Sequence, residues 1–197
     1  MLAAKDADIA MLNGIVGLEL LDLRGTRVTG ACLVHVTGHA NLKTICFHDA
    51  EVRDQDLSHL KKLPALEVLF LSGSKITDKG LAELAENPKL RVLYLSGARI
   101  SGAGLAHLKK LKSLEDLDVS STNVGDDGLV HIKVFRKLKS LDLFGTNVSD
   151  KGLELIKGMP ELRVLYLNAT SVTGEGVARF RQAMPQTTVV YMPPKPI

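Results

Sequence analysis

Residues Leu66–Lys89 read LEVLFLSGSKITDKGLAELAENPK, and the next twenty-four, Leu90–Ser113, read LRVLYLSGARISGAGLAHLKKLKS. Two further steps give LEDLDVSSTNVGDDGLVHIKVFRK and LKSLDLFGTNVSDKGLELIKGMPE. A fixed period of this length marks an architecture in which one structural unit stacks along an axis. Counting slots from the first leucine of each unit, seven full units begin at Leu18, Leu42, Leu66, Leu90, Leu114, Leu138 and Leu162. Slots 1, 4 and 6 supply twenty-one positions, of which eighteen are Leu; the exceptions Ile45, Phe47 and Val119 are also apolar. That regularity decides the fold.

An L-x-x-L-x-L segment is a short extended run that sends slots 4 and 6 to one side, as the two-residue period of a strand requires. Slots 8 and 9 carry turn residues: Gly25-Thr26, Gly73-Ser74, Gly97-Ala98, Gly145-Thr146. Slot 11 is always Val or Ile, from Val28 to Val172, and is expected to point inward. Slots 12 and 13 then hold cap residues such as Thr77-Asp78, Ser149-Asp150 and Thr173-Gly174, which suit a helix N-terminus. Slots 16 and 19 are apolar at i, i+3 spacing (Leu57/Leu60, Leu81/Leu84, Leu105/Leu108, Leu129/Ile132, Leu153/Ile156), and slot 22 often adds a third. Pro64, Pro88 and Pro160 at slot 23 end the helix. Each unit is thus strand, turn, short helix, turn. Alone it buries too little apolar surface to offset the entropy of ordering it; stacked, the units share their apolar sides and their strands join in a parallel sheet.

With these residues in place, the pattern resembles leucine-rich repeat proteins with helix-bearing twenty-four-residue units. The T/S-D-x-G-L stretch is similar to the repeats of F-box-associated and related bacterial leucine-rich repeat proteins, although the recurrent Cys of the former and an F-box are missing. The resemblance covers about residues 6–192 and implies an α/β solenoid, curved, with a parallel sheet on the concave face and short helices on the convex face. It implies little about function, because this scaffold serves many partners.

Unbroken repetition argues for one elongated domain over 1–197. Residues 1–17 fit the back half of a unit, with Asp6 near the cap slot and Ile9, Leu12 and Ile15 at slots 16, 19 and 22. The chain therefore enters mid-repeat, as a fragment or processed product would. Residues 18–186 hold the seven repeats. Met159-Pro160 recurs as Met184-Pro185, so the seventh unit is read with one extra residue and the final strand is expected over 187–192. The tail, 193–197, with prolines at 193, 194 and 196, is read as an end guard because Pro cannot continue a sheet. Slot 15 is Gly in units three to seven but Cys32 and Asp56 before that, the irregularity of terminal units that face solvent.

Hydrophobic content of 45% suits a protein with a real core, and no apolar run approaches the ~20 residues that span a bilayer. The first residues lack the basic region and apolar stretch of a secretory signal. A net charge of +3 is too small to point to nucleic acid. Cys32 and Cys46 face opposite ways and are expected to stay unpaired. A basic column at slot 20 (Lys61, Lys109, Lys133, Lys157, Arg181) suits helix C-termini, where the macrodipole favours cations. His35, His59, His107 and His131 share slot 18, but no Cys or carboxylate completes a metal set with them. Gly102-x-Gly104 and Gly174-x-Gly176 are the repeat's own turn into a helix rather than phosphate loops. The expectation is no catalytic residue, no metal ligand and no cofactor.

The outward slots of the sheet are more informative. Slot 2 reads Glu19, Lys43, Glu67, Arg91, Glu115, Lys139, Arg163, alternating in sign through six units. Parallel strands lie ~4.8 Å apart, so this is an intramolecular charge ladder. Slot 5 does not alternate: Asp22, Cys46, Phe70, Tyr94, Asp118, Asp142, Tyr166, and then Tyr191. Val68 and Val92 flank Phe70 and Tyr94, Asp116 stands beside Asp118, and Phe144 is close to Asp142. Exposed aromatics with flanking charges are the composition of interface hot spots, and adjacent acids repel unless a cation meets them.

The expectation is a protein–protein interaction module that binds through Phe70, Tyr94, Asp116, Asp118, Asp142, Phe144, Tyr166 and Tyr191. Its partner is a protein with a basic patch, not nucleic acid or a membrane. The alternatives are a structural or assembly module joined through its repeat ends, and a substrate-recognition arm of a larger enzyme or ubiquitin-ligase-type effector.

Overall fold

The computed structural model of the protein describes residues 4–193. Eight strands lie side by side in chain order in one parallel sheet: β1 (Leu20–Asp22), β2 (Thr44–His48), β3 (Val68–Ser72), β4 (Val92–Tyr94), β5 (Asp116–Asp118), β6 (Ser140–Asp142), β7 (Val164–Tyr166) and β8 (Thr188–Val190). The register advances by one repeat at every step: Leu21 pairs with Ile45, Leu69 with Leu93, Leu117 with Leu141. A second backbone seam runs through slots 10 and 11, where the N–H groups of Lys75, Arg99 and Asn123 donate to the carbonyls of Val52, Ile76 and Ile100. This is the α/β leucine-rich repeat solenoid anticipated from the period.

The core is the set of apolar slots. Every slot 4, 6 and 11 side chain of the seven units is buried, as are the slot 16 and 19 pairs from Leu33/Val36 to Val177/Phe180. The helical side is less uniform than the strands. Helices α1 (Asp6–Ile9), α2 (Asp78–Leu84), α3 (Gly102–Leu105), α4 (Asp126–Ile132), α5 (Asp150–Ile156) and α6 (Gly174–Ala183) are α-helical. Gly30–Val36 and Asp54–Lys62 wind as 3-10 helix instead, and 3-10 turns continue α1 and α3. An i, i+3 apolar pair shares one face in either winding, so the sequence pattern is satisfied by both.

The hydroxyl at slot 12 caps the helix in four units: Thr29, Thr77, Ser149 and Thr173 accept from N–H groups at the start of their own helices. The slot 13 aspartate does something else. Asp54 accepts from the Thr77 N–H (2.7 Å) and hydroxyl (2.6 Å) of the following unit. Asp78 does the same to Ser101, Asp126 to Ser149, Asp150 to Thr173, and Asp6 to Thr29. Each carboxylate therefore bolts two units together. It also explains the glycine at slot 15: a Cβ on Gly80, Gly104, Gly152 or Gly176 would strike the incoming carboxylate.

Two junctions lack this bolt, because slot 13 is Gly30 or Gly102 and the next slot 12, Arg53 or Gly125, has no hydroxyl. There the following unit supplies its own carboxylate: Asp56 accepts from the Arg53 N–H (2.8 Å), and Asp56 and Asp127 occupy the space a Cβ would need at Gly30 and Gly102. Asp56 is thus irregular for a reason other than solvent contact, and it is buried; Cys32, also buried, stands at slot 15 of the unit that receives the Asp6 carboxylate, and nothing in the structure explains why it is not glycine. Both cysteines are free, and burial pushes the Cys32 thiol up to about 12.

All seven slot 8 residues adopt left-handed backbone, including the non-glycines Asp49, Ser121 and Ala169, with φ of 53°, 54° and 56°. For an L-residue that conformation costs about 1–2 kcal/mol. Ala169→Gly is therefore expected to raise stability, by up to about 1 kcal/mol once the greater freedom of unfolded glycine is deducted. Chemical denaturation of the two proteins checks this; a less stable variant would show that Ala169 carries no strain.

The last strand differs from expectation. Val190, not Tyr191, pairs with Tyr166. Helix α6 is longer than the others and takes up the extra residue, while the Thr187 hydroxyl closes onto the Leu162 carbonyl (2.9 Å). The Arg181 guanidinium donates to the Val189 carbonyl (2.9 Å), which covers the outer edge of β8. The proline-rich stop beyond Pro193 lies outside the described residues, as do Met1–Ala3.

Candidate functional site

The strands hold slots 3 and 5 on the face away from the helices, since slots 4 and 6 are committed to the core. Register places Phe70, Tyr94, Asp118, Asp142 and Tyr166 in one row across five neighbouring strands. Val68, Val92, Asp116, Ser140 and Val164 form the row beside it. Phe70 meets Tyr94 edge to face, with ring centroids 4.8 Å apart and planes at 86°, a geometry favoured by the ring quadrupoles.

Between the tyrosines the row turns acidic. Asp118 Oδ1 accepts from the Ser120 N–H and Asp142 Oδ1 from the Phe144 N–H, both at 2.8 Å. Each acid thereby closes the end of its own strand with one oxygen and leaves Oδ2 for other partners. Tyr94, Leu117, Asp118, Ser140, Asp142 and Tyr166 enclose a hollow of about 150 Å³. The sequence row and the hollow thus coincide at four residues.

The electrostatics of the hollow are those of acids short of counter-charge. Burial pushes the Asp142 carboxyl up, and the neighbouring Asp118 adds to the rise. Asp116 is raised by burial and then by Glu115. The Tyr94 phenol is raised first by burial and then by Asp116, Asp118, Tyr166 and Asp142. The Asp116 side chain has no hydrogen bond among the described residues, although its N–H donates to the Arg91 carbonyl (3.0 Å). Phe144 stands 45% exposed at slot 7. Tyr191 does not join this group: it lies one position past the row, and its hydroxyl donates to the Val172 carbonyl (3.1 Å) at the end of the array.

The slot 2 ladder runs along the neighbouring margin. Lys43 pairs with Glu19 (3.0 Å), Arg91 with both Glu67 (3.4 Å) and Glu115 (2.9 Å), and Lys139 with Glu115 (2.8 Å). Arg163, where alternation stops, turns to Glu161 instead. Arg91 and Lys139 together hold the Glu115 carboxyl at about 2. Arg91→Glu, which sets a third acid between Glu67 and Glu115, is expected to lower the melting temperature at low salt and less so at high salt. Because the Glu115 pKa is depressed in the folded state, its contribution is present above the ordinary carboxylate range and lost as pH falls toward 2. The gap between variant and parent should therefore close on acidification. Equal melting temperatures at neutral pH and low salt would remove the ladder from the account.

On the opposite side, Lys61, Lys109 and Lys133 stand exposed near helix ends, while Lys157 pairs with Glu154. Among the described residues no group of three or more His, Cys, Asp or Glu side chains gathers around a common centre. No described helix is long and apolar enough to cross a membrane.

The leucine rich repeat family model matches residues 62–85, 86–109, 110–132 and 136–157. Among solved structures the chain resembles an internalin from Listeria monocytogenes, with a TM-score of 0.69 and 21% identity over 92% of this chain. That match spans 56% of the internalin, so the chain corresponds to just over half of its length. No curated protein matches the sequence.

Proposed function

The chain is a leucine-rich repeat protein, and from that premise we propose that it is a protein-interaction module whose concave sheet face takes a partner carrying basic side chains. One observation carries the reading: two carboxylates on adjacent strands line a hollow between Tyr94 and Tyr166. Their mutual repulsion is relieved when a cation enters, and a lysine or arginine head there would also meet aromatic faces. Phe70 and Phe144 extend apolar contact on either side, and Asp116 adds a third acid. The reading is one of binding rather than catalysis.

The test is affinity capture with the parent and with Tyr94→Ala/Tyr166→Ala, followed by titration of the captured partner. Loss of binding by the tyrosine variant, with Lys109→Ala/Lys133→Ala unaffected, supports the sheet face. The reverse result moves the site to the helical face and ends this proposal.

A further inference from the structure

We propose that the hollow between Tyr94 and Tyr166 is an arginine pocket, which takes the guanidinium of a single partner arginine in preference to a lysine or a methylated lysine. The inference rests on the sheet-face reading and specifies the residue at its centre.

The acceptors set the first condition. Asp118 and Asp142 stand opposite each other on β5 and β6. Each commits Oδ1 to an N–H two residues ahead, that of Ser120 or Phe144, and has Oδ2 left. Neither carboxylate therefore offers both oxygens for a fork-to-fork pair with one base. Together they present two single acceptors on strands ~4.8 Å apart, with Ser140 beside them. A guanidinium carries its N–H donors around the rim of one plane and reaches separate acceptors from separate edges.

The walls set the second. In the sheet register Tyr94 is the neighbour of Asp118, and Tyr166 the neighbour of Asp142. A planar cation keeps both faces free for such rings while its rim is hydrogen-bonded; a tetrahedral ammonium has no flat face to offer.

Size sets the third. The hollow holds about 150 Å³, the room of about five water molecules. An ammonium replaces about one of them and leaves the acids wet. The flat head of an arginine displaces most of them, and it is the more weakly hydrated of the two cations. A trimethylated ammonium is bulky enough, but it has no N–H and leaves both Oδ2 atoms unpaired.

The chain's own bases do not fill the place. Arg91 and Lys139, on the neighbouring margin, are both held by Glu115 (2.9 and 2.8 Å). Among the described residues no Lys or Arg pairs with Asp116, Asp118 or Asp142.

The experiment titrates the full chain with the Nα-acetyl methylamides of arginine, citrulline, lysine and trimethyl-lysine. The protein has no Trp and three Tyr, two of which line the hollow, so tyrosine fluorescence follows the titration. The amide NMR signals of Ser120 and Phe144 place it. Arginine is expected to saturate with a Kd of about 1 mM, the scale for so small a ligand. Lysine should bind about two- to fivefold more weakly, the worth of stacking at an exposed site. Citrulline, of the same shape but neutral, should bind about tenfold more weakly or worse. Asp118→Asn/Asp142→Asn retains an oxygen for each strand-end N–H and should abolish the response. Lysine, trimethyl-lysine or citrulline equal to arginine, or no saturable response up to about 10 mM, overturns the proposal. So does a response that leaves the Ser120 and Phe144 amides unmoved. No partner enters these titrations, so the two failures are distinguishable. A captured partner that needs Tyr94 and Tyr166 while free arginine does not bind overturns the arginine pocket alone; a partner indifferent to both tyrosines overturns the sheet-face reading.

Discussion

Replacing Leu93 with alanine is expected to cost about 2–5 kcal/mol of stability, the range for deleting most of a fully buried aliphatic side chain. Leu93 sits at slot 4 of the central unit, has no exposed surface, and lies between Leu69 and Leu117 in the sheet. In a stacked array each unit is stabilised mainly by its neighbours, so one cavity at the centre weakens two interfaces at once. The denaturant transition should accordingly broaden as well as shift, because the two halves lose their common partner. Urea unfolding followed by circular dichroism measures both. A loss below about 1 kcal/mol is what surface positions show and would mean that Leu93 is not the packing residue this register makes it.

The second large effect concerns binding. Tyr94→Ala, Asp118→Ala and Tyr166→Ala should each leave the fold intact, because none of these side chains belongs to the core. One or two of them should weaken partner affinity by about 2 kcal/mol or more, the size of a hot-spot loss. The kinetics should separate the residues. Asp118→Ala acts mainly on the association rate and its effect fades with added salt, because charge steers encounter. The tyrosine changes act on dissociation and persist in salt. Surface plasmon resonance at two ionic strengths resolves these. Three variants indistinguishable from the parent would remove the hollow from the interface.

The architecture was legible because burial decides it. An apolar residue at slots 4 and 6 of every unit admits one arrangement, and both the strand register and the core follow. The row of aromatics and acids was legible for the same reason, since whatever does not face the core on a strand faces outward. What escaped the reading lies where one residue meets another unit. The slot 13 aspartates look like ordinary helix caps, yet their carboxylates reach forward twenty-three residues, from Asp54 to Thr77 and from Asp78 to Ser101. The signal was present, because a slot 13 aspartate is always followed by a hydroxyl at the next slot 12. Tyr191 was misplaced because an extra residue can be absorbed by a helix or by a strand entry, and the sequence does not say which. The strand-end role of Asp118 and Asp142 was missed because a carboxylate two positions before a free N–H is a local contact that periodicity does not report.

The carboxylate junctions make the order of the units directional information. Excising residues 90–113 would bring Asp78 against Gly125, which offers no hydroxyl, and would crowd it against Asp127 in one small space. Excising residues 90–137 instead would deliver Asp78 to Ser149 and Gly152, a receiving pair of the right kind. Although the units look interchangeable, the array can be shortened or duplicated only at matching couplings. At the two junctions without such a coupling, Asp56 and Asp127 place a carboxylate against Gly30 and Gly102 instead.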